Sequence, residues 1–218
     1  GFENLSIDLM YALPGQTMAQ WKADIETAIG LGVQHLSSYG LMYEEGTAMT
    51  QMRERGEIEE TDEETENAMY DYLCERVKKA GFRHYEVSNF ALPGYEAQHN
   101  SSYWNGTPYV GVGAGAHSYT GNVRSWNPND LEGYIQGIEK GTLVRESETL
   151  SEADLYNEQV MLGLRTDKGC WLSPSVDRRE TVGKLRQKGL IRVEEDGRVI
   201  ATQEGLHVLN RIIEELMI

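Results

Sequence analysis

Residues Gln98 to Tyr119 read QHNSSYWNGTPYVGVGAGAHSY, and this stretch concentrates chemistry that the rest of the chain mostly lacks. It holds two histidines, an aromatic pair and a segment with glycine in every second place, at Gly111, Gly113 and Gly115. Because side chains alternate along a strand, a strand here would put the three glycines on one face. Such a bare face predicts either close approach of a flat or phosphate-bearing ligand, or tight packing against another backbone.

This glycine pattern is not that of a dinucleotide-binding loop. That motif needs a strand, a tight turn and a helix that begins at the glycines, whereas Ala116 to Tyr119 predicts further extended chain. The glycines alone therefore leave the kind of ligand open.

Composition excludes several classes of function. The chain has 218 residues, enough for one large or two modest domains, and a formal net charge of -15, which argues against general attraction to nucleic acid or to anionic membranes. No apolar run is long enough to span a bilayer, and no secretion signal is present, so we expect a cytoplasmic protein. Cys74 and Cys170 lie far apart, which rules out a disulfide framework or a cysteine-rich metal site.

The N-terminal region predicts a βαβ unit. Leu5 to Tyr11 alternates as a strand, Thr17 and Gln20 form a capping box that begins a helix, and Leu36 to Leu41 predicts a second, parallel strand. Asp8 lies near the carboxyl end of the first strand, where ligands gather in such folds. It is a candidate for binding a sugar hydroxyl or a cation, and capping of the local loop is the alternative.

The segments up to Gln98 predict an excursion, a helix and a strand. The polar residues 43–60 favour an irregular excursion, Thr61 and Glu64 predict a capping box, Phe82 to Val87 predicts a third strand, and Ser88 to Gly94 predicts a loop.

After Tyr119, the pattern of predicted elements changes at a polar region, Thr142 to Thr149, which is the best candidate for a domain boundary. A hairpin at 119–124 and a short helix at 130–140 precede it. After it come a helix from Ser151, a helix at 178–188, a hairpin through Asp196 and Gly197, and a helix from Thr202. This order of helix, helix, hairpin and helix is that of a winged helix. A basic cluster at 178–192 invites a DNA-binding interpretation, but the acidity of the surrounding chain opposes it, and winged helices also serve as packing modules.

His99 and His117 are the most informative polar residues. A neutral imidazole is the commonest protein ligand of transition metals and can hold haem iron axially. A lone histidine is more often a hydrogen-bonded structural residue, so both interpretations stay open.

Four motifs together resemble one family. IDLMYALPGQT from Ile7, SSYGLMYEEGT from Ser37, HYEVSNFALPGYEAQHNSSYWNG from His84 and YVGVGAGAHSY from Tyr109 resemble the radical S-adenosylmethionine (SAM) proteins related to oxygen-independent coproporphyrinogen III oxidase. The HNSSYW element resembles the HNxxYW motif of the haem-chaperone branch of that family. The order and spacing of the motifs match over nearly the whole chain.

The resemblance implies an α/β fold: the C-terminal part of a partial, TIM-like (β/α)6 barrel at residues 1–143, followed by a small winged-helix-like α+β domain at residues 144–218. It also implies SAM and a [4Fe-4S] cluster in the full-length protein. The family's C-x3-C-x2-C cluster motif is absent here, so we expect a fragment without the cluster or its radical chemistry, inactive alone and retaining no cofactor firmly.

The resemblance also assigns candidate site residues. Asp8, Met10, Met42, the three glycines and His117 would lie on the SAM side. His99 would contact haem and could ligate its iron, with Tyr103 and Trp104 as aromatic supports. Barrel-end packing is the other interpretation of these aromatic residues.

Two functions follow from the resemblance. A haem chaperone would bind haem and pass it to acceptor proteins, whereas the oxidase would decarboxylate the propionates of a porphyrinogen. We favour the chaperone because of HNSSYW; a winged-helix nucleic-acid binder is a distant alternative. Since a partial barrel exposes strand edges and apolar surface, we also expect the chain to self-associate.

Overall fold

The computed structural model describes residues 1–218, which form two units, Gly1–Ala97 and Gln98–Ile218. The first unit begins with the predicted βαβ arrangement. Strand β1 (Ser6–Tyr11) and strand β2 (His35–Gly40) pair in parallel, with Asp8 opposite Ser37, and helix α1 (Met18–Gly30) connects them. Thr17 and Gln20 form the expected capping box, so both the helix start and the parallel pairing are confirmed.

The sheet of the first unit contains a strand that the sequence did not indicate. Strand β3 (Arg83–Glu86) confirms the third predicted strand, but β4 (Asn89–Ala91) lies inside the stretch that was expected to be a loop. The strand order is β1-β2-β4-β3, and β4 runs antiparallel to both of its neighbours. A strand of three residues is too short to show periodicity, so only pairing with β2 and β3 defines it.

Two helices connect β2 with β3. Helix α2 (Ala48–Glu54) lies within the polar region that was expected to be irregular, and Thr47 caps it. Helix α3 (Glu63–Lys79) is capped by Asp62, whose carboxylate accepts from the Thr65 amide, so the predicted capping box at Thr61 is wrong by one residue. The Thr61 hydroxyl instead donates to the Leu13 carbonyl at 3.4 Å.

The core of the first unit lies between its sheet and helices α1 and α3. The Trp21 indole is fully buried and donates to the Met69 carbonyl at 2.9 Å, which ties the two helices together. Tyr11 packs on the same indole, with ring centroids 5.4 Å apart. Other fully buried core side chains are Ile25, Leu36, Leu73, Val77 and Phe90.

The second unit begins with helix α4 (Gln98–Trp104), followed by strands β5 (His117–Thr120) and β6 (Val123–Trp126). Gly121, at a φ of 68°, makes the hairpin turn between these strands as expected. Helix α5 (Leu131–Lys140) begins after the cap Asp130 and ends at Gly141. Strand β7 (Glu146–Thr149) pairs with β6 and extends the hairpin to three antiparallel strands.

The predicted glycine strand is wrong. Residues 110–116 form an irregular segment that ends in a turn, with Gly113 and Gly115 at φ values of 121° and 69°. The three glycines therefore do not share one face, and each has its own role. A Cβ on Gly111 would lie 2.1 Å from the His117 carbonyl oxygen, one on Gly115 would touch Asn129, and one on Gly113 would meet open space.

The last part of the chain has the predicted winged-helix order. It comprises α6 (Glu152–Gly163), α7 (Arg179–Gln187), β8 (Ile191–Val193), β9 (Val199–Ala201), α8 (Gln203–Leu206) and α9 (Leu209–Leu216). The final predicted helix is thus two helices, of which Thr202 caps the first. Cys170 adds an isolated bridge to Val199 beside the hairpin.

The expected boundary between residues 143 and 144 stays a prediction. The two units divide at Ala97 and Gln98, and β7, inside the polar region, pairs with β6 on the other side of that boundary. Among the helices, none combines the length and apolarity that crossing a membrane requires.

Candidate functional site

In the first unit, one face of the sheet carries a row of polar side chains. Register places Asp8 beside Ser37, Ser37 beside Asn89, and Asn89 beside Glu86, across all four strands. Asp8 is exposed, whereas Glu86, Asn89 and Ser37 are only 3%, 4% and 5% exposed. The Glu86 carboxylate accepts from the Asn89 side-chain amide and from the Ser88 N–H, at 3.2 Å for the latter. The row therefore runs from a buried, hydrogen-bonded carboxylate to an exposed one.

Sequence reasoning found only the exposed end of this row. Glu86 and Asn89 stood in a predicted strand and a predicted loop, and their side chains meet because β4 turns back between β2 and β3. Asn89 leaves its side-chain carbonyl without a hydrogen-bond partner, although that oxygen is buried. The only signal in the sequence was the polar residues Glu86, Ser88 and Asn89 at a strand end.

Asp8, Met10 and Met42 are the candidate cofactor residues of the first unit. Asp8 and Met10 share the polar face of β1, and Met10 is 47% exposed. Met42 follows β2 and is 77% exposed. The Asp8 carboxylate accepts no hydrogen bond within the chain, so it is free to accept one from a ligand.

His35 lies on β2 beside this row, and both of its ring nitrogens face hydroxyl groups of the chain. Its Nδ1 is 2.8 Å from the Ser6 hydroxyl oxygen and its Nε2 is 2.7 Å from the Tyr85 hydroxyl oxygen, which also accepts from the Ala97 N–H. Burial lowers the pKa of His35, and the nearby negative charge of Asp8 opposes that shift. A neutral ring with both nitrogens engaged leaves no nitrogen for a metal.

The second unit places His99 and Tyr103 together on α4. His99 Nε2 lies 3.3 Å from the Tyr103 hydroxyl oxygen, and the rings meet edge to face with centroids 5.1 Å apart. Tyr103 packs in the same way on Tyr109 at 4.9 Å, and Tyr109 lies 6.2 Å from Tyr119 on β5. We call these four rings the aromatic ladder. Trp104, the other predicted support, is half-buried and outside the ladder.

The aromatic ladder has exposed members, and exposed apolar residues follow it in the chain. His99 is exposed and Tyr103 is 41% exposed. Val110 and Val112, which follow Tyr109 along the chain, are 70% and 85% exposed. Apolar surface is therefore available close in the chain to Tyr109, a member of the ladder.

The glycine turn is fixed by Asn127, which is 2% exposed. Its side-chain amide donates to the Gly113 carbonyl at 2.8 Å, its side-chain oxygen accepts from Arg145 at 2.9 Å, and its N–H donates to the Ala116 carbonyl at 3.0 Å. The Tyr134 hydroxyl accepts from the Gly113 N–H at 3.1 Å. The turn is therefore held by a buried hub that sequence reasoning missed.

His117, the second candidate histidine, begins β5 and is exposed. Its ring stacks on Trp126 at 5.7 Å with an interplanar angle of 25°, across the hairpin. The close approach of Gly111 to the His117 backbone links this histidine to the glycine segment.

The residues of this chain do not fit an iron–sulfur cluster. Such clusters need several cysteine thiolates, and the sequence has only Cys74 and Cys170, both buried. Burial raises the pKa of the Cys170 thiol to about 12, which disfavours the thiolate. No group of three or more His, Cys, Asp or Glu side chains is arranged to hold a metal ion.

Three of the six cations in the basic cluster of the winged helix are paired with carboxylates. Arg178 donates to the Leu216 and Met217 carbonyls at 3.2 and 2.5 Å and so caps α9. Arg179 pairs with Asp177, Lys184 with Glu180, and Arg192 with Glu194. Cations that neighbouring carboxylates already neutralise attract a phosphate backbone weakly, which opposes the DNA-binding interpretation.

A small open cleft lies elsewhere in the second unit, with a volume of about 260 Å³. Arg124 lines it, paired with Glu158 at 2.6 Å and near Glu148 at 4.0 Å. Because the arginine is already paired with carboxylates, the cleft has the character of a structural ion-pair network.

The solved structure of coproporphyrinogen III oxidase (HemN) from Escherichia coli, described as a radical SAM enzyme, matches all of this chain with a TM-score of 0.72 at 18% identity. The match spans 55% of that enzyme. The chain therefore has the fold of a radical SAM protein of this type, as the sequence motifs predicted. No family model matches it.

The sequence relatives define the chain more closely. Proteins named heme chaperone HemW from Lactococcus lactis and Bacillus subtilis are 33% and 35% identical to it and cover 100% and 97% of its length. A zebrafish protein named radical S-adenosyl methionine domain-containing protein 1, mitochondrial, is 31% identical over 98% of it. This chain is a homologue of the proteins named heme chaperone HemW, and it spans 59% and 58% of the two bacterial relatives.

Proposed function

We propose that this chain is part of a haem carrier of the radical SAM type and that His99 supplies a ligand to the haem iron. The observation that carries the proposal is the exposed imidazole of His99 at the end of the aromatic ladder, in a homologue of proteins named heme chaperones. Haem is the cargo here, and acceptor proteins would receive it.

The chemistry of the surface fits haem. A neutral imidazole is a normal axial ligand of haem iron, and the porphyrin plane needs apolar or aromatic surface beside it. The Tyr103 ring supplies such surface next to His99, and Val110 and Val112 are exposed apolar side chains that follow Tyr109 in the chain. Trp104 is the least supported member of the proposed set because it lies outside the ladder.

The SAM side is proposed separately for each unit. In the first unit, Asp8 would accept hydrogen bonds from ribose hydroxyls, with Met10 and Met42 as apolar contacts. In the second, the turn of Gly111, Gly113 and Gly115 and the backbone of His117 would lie beside the cofactor. SAM with a [4Fe-4S] cluster supplies radical chemistry in the full-length family members, and the cysteines of this chain cannot hold that cluster. A cytoplasmic location remains a prediction from the composition.

The test titrates ferric haem into the protein, produced at the length of its relatives, and follows the Soret band. We expect His99→Ala to weaken haem binding at least 10-fold, because loss of an axial ligand leaves only apolar contact. His207→Ala, in the winged-helix part, is the matched control and should bind as the wild type does.

The same preparations, reconstituted anaerobically, are assayed for coproporphyrinogen decarboxylation. Robust decarboxylation without haem binding would reject the carrier function and favour the oxidase. Equal haem affinity of the wild type and His99→Ala would reject His99 as the ligand.

A further inference from the structure

The contact between His99 and Tyr103 distinguishes the two ring nitrogens of the histidine. Nε2 faces the Tyr103 hydroxyl oxygen at 3.3 Å, whereas Nδ1 makes no hydrogen bond within the chain. The residues are four apart on α4, the spacing at which helix side chains meet. The imidazole therefore presents one engaged nitrogen and one free nitrogen.

Tyr103 is itself held in place from the sheet. Its ring packs edge to face on Tyr109 with centroids 4.9 Å apart. Tyr109 exchanges two backbone hydrogen bonds with Tyr119 on β5, each of 2.9 Å. The hydroxyl that meets His99 thus belongs to a side chain whose position is set by a strand, although α4 is a short helix.

We propose that Tyr103 is a positioning residue for His99: its hydroxyl oxygen accepts the Nε2–H and leaves the unprotonated Nδ1 as the iron ligand. This inference rests on the proposed function. The second proton arrangement, in which the Tyr103 O–H donates to Nε2, would put the imidazole proton on Nδ1 and leave no free nitrogen. Ligation through Nδ1 requires the first arrangement, and ligation through Nε2 requires that the hydroxyl be displaced.

An acceptor on the far nitrogen has a definite effect on a metal-bound imidazole. It fixes the tautomer and the ring orientation and makes the ligand more basic, and loss of such a partner typically costs about 10- to 100-fold in metal affinity. The 3.3 Å separation and the partial exposure of Tyr103 place the expected effect near the lower end.

Removal of the Tyr103 hydroxyl tests this proposal, because the proposal predicts the direction in which haem affinity and reduction potential change. Tyr103→Phe keeps the ring and its packing on Tyr109, and we expect it to weaken ferric haem binding about 10-fold. The ferric–ferrous reduction potential of the bound haem should move in the positive direction, because a less basic imidazole stabilises the ferric state less. Tyr95→Phe is the matched control, because Tyr95 is 42% exposed, its hydroxyl makes no hydrogen bond, and it lies outside the aromatic ladder.

Tighter haem binding by Tyr103→Phe would overturn the proposal, because it would mean that the hydroxyl competes with iron for Nε2. Unchanged binding would also overturn it, because the hydroxyl would then have no effect on the ligand. An unchanged reduction potential would overturn it too. If His99→Ala binds haem as the wild type does, the proposed function itself fails. Far-ultraviolet circular dichroism of each variant shows whether α4 and the sheet are retained.

Discussion

At the scale of single residues, the structure gives two histidines very different surroundings. His35 and His99 both stand beside tyrosines, but His35 is 5% exposed with both nitrogens engaged, whereas His99 is exposed with Nδ1 free. The difference comes from position, since His35 begins a strand inside a sheet and His99 lies on a surface helix. The sequence motifs singled out His99 and not His35, and the structure adds how differently the two rings are buried.

Burial of His35 predicts a pH dependence of stability. Its pKa in the folded chain lies below the ordinary value of 6.5, so the unfolded chain binds more protons between the two values. Stability should therefore fall as pH drops through 6.5 and keep falling to the folded pKa, with a slope from this residue of at most about 1.4 kcal/mol per pH unit.

The measurement compares urea unfolding of the wild type and His35→Gln from pH 7.5 to 5. The difference between their free energies of unfolding isolates the contribution of this ring from those of the other titrating groups. A difference that does not depend on pH would show that His35 titrates alike in both states.

At the scale of elements, the segment from α4 to β5 departs most from its prediction. Alternating glycines normally indicate one bare strand face, but here Gly111 permits a backbone approach and Gly113 and Gly115 permit a turn. The hydrogen bonds that hold the turn come from Asn127 and Tyr134. Contacts of this kind between distant residues decide against the strand.

Gly111→Ala should therefore be strongly destabilising. The added Cβ would lie 2.1 Å from the His117 carbonyl oxygen, so the backbone must shift, at a cost of about 1–3 kcal/mol or more. Gly183→Ala, within α7, meets nothing within 4 Å and should stabilise by about 0.5–1 kcal/mol. Chemical unfolding of both variants checks the contrast, and equal effects would contradict the assigned role of Gly111.

At the scale of the whole molecule, the chain exposes apolar surface that suits association. Leu131, Ile135 and Ile138 recur along one side of α5 and are 67%, 46% and 54% exposed, and Val144 nearby in sequence is 75% exposed. Strand β1 lies at an edge of its sheet, with one side unpaired. Both features support the expectation that the chain self-associates.

We expect the chain by itself to form dimers or larger species as its concentration rises. Light scattering after size exclusion, across about a 100-fold range of concentration, measures this directly. Ile135→Lys should shift the population toward monomer, whereas Lys22→Ile, on the exposed side of α1, serves as a control outside α5. A wild-type chain that stays monomeric throughout would refute the expectation.

Local patterns in the sequence were enough to predict the order of most elements, the caps of α1 and α5, the βαβ unit, the winged-helix order and the family resemblance. These depend on local periodicity, turn residues and short motifs, which neighbouring residues carry in the chain. The folded structure was needed to show that β4 exists, that Glu86 and Asn89 are buried, and that the glycines form a turn held by Asn127 and Tyr134. Each of these depends on which distant backbones pair and on which side chains are shielded from water, and no local pattern encodes that pairing.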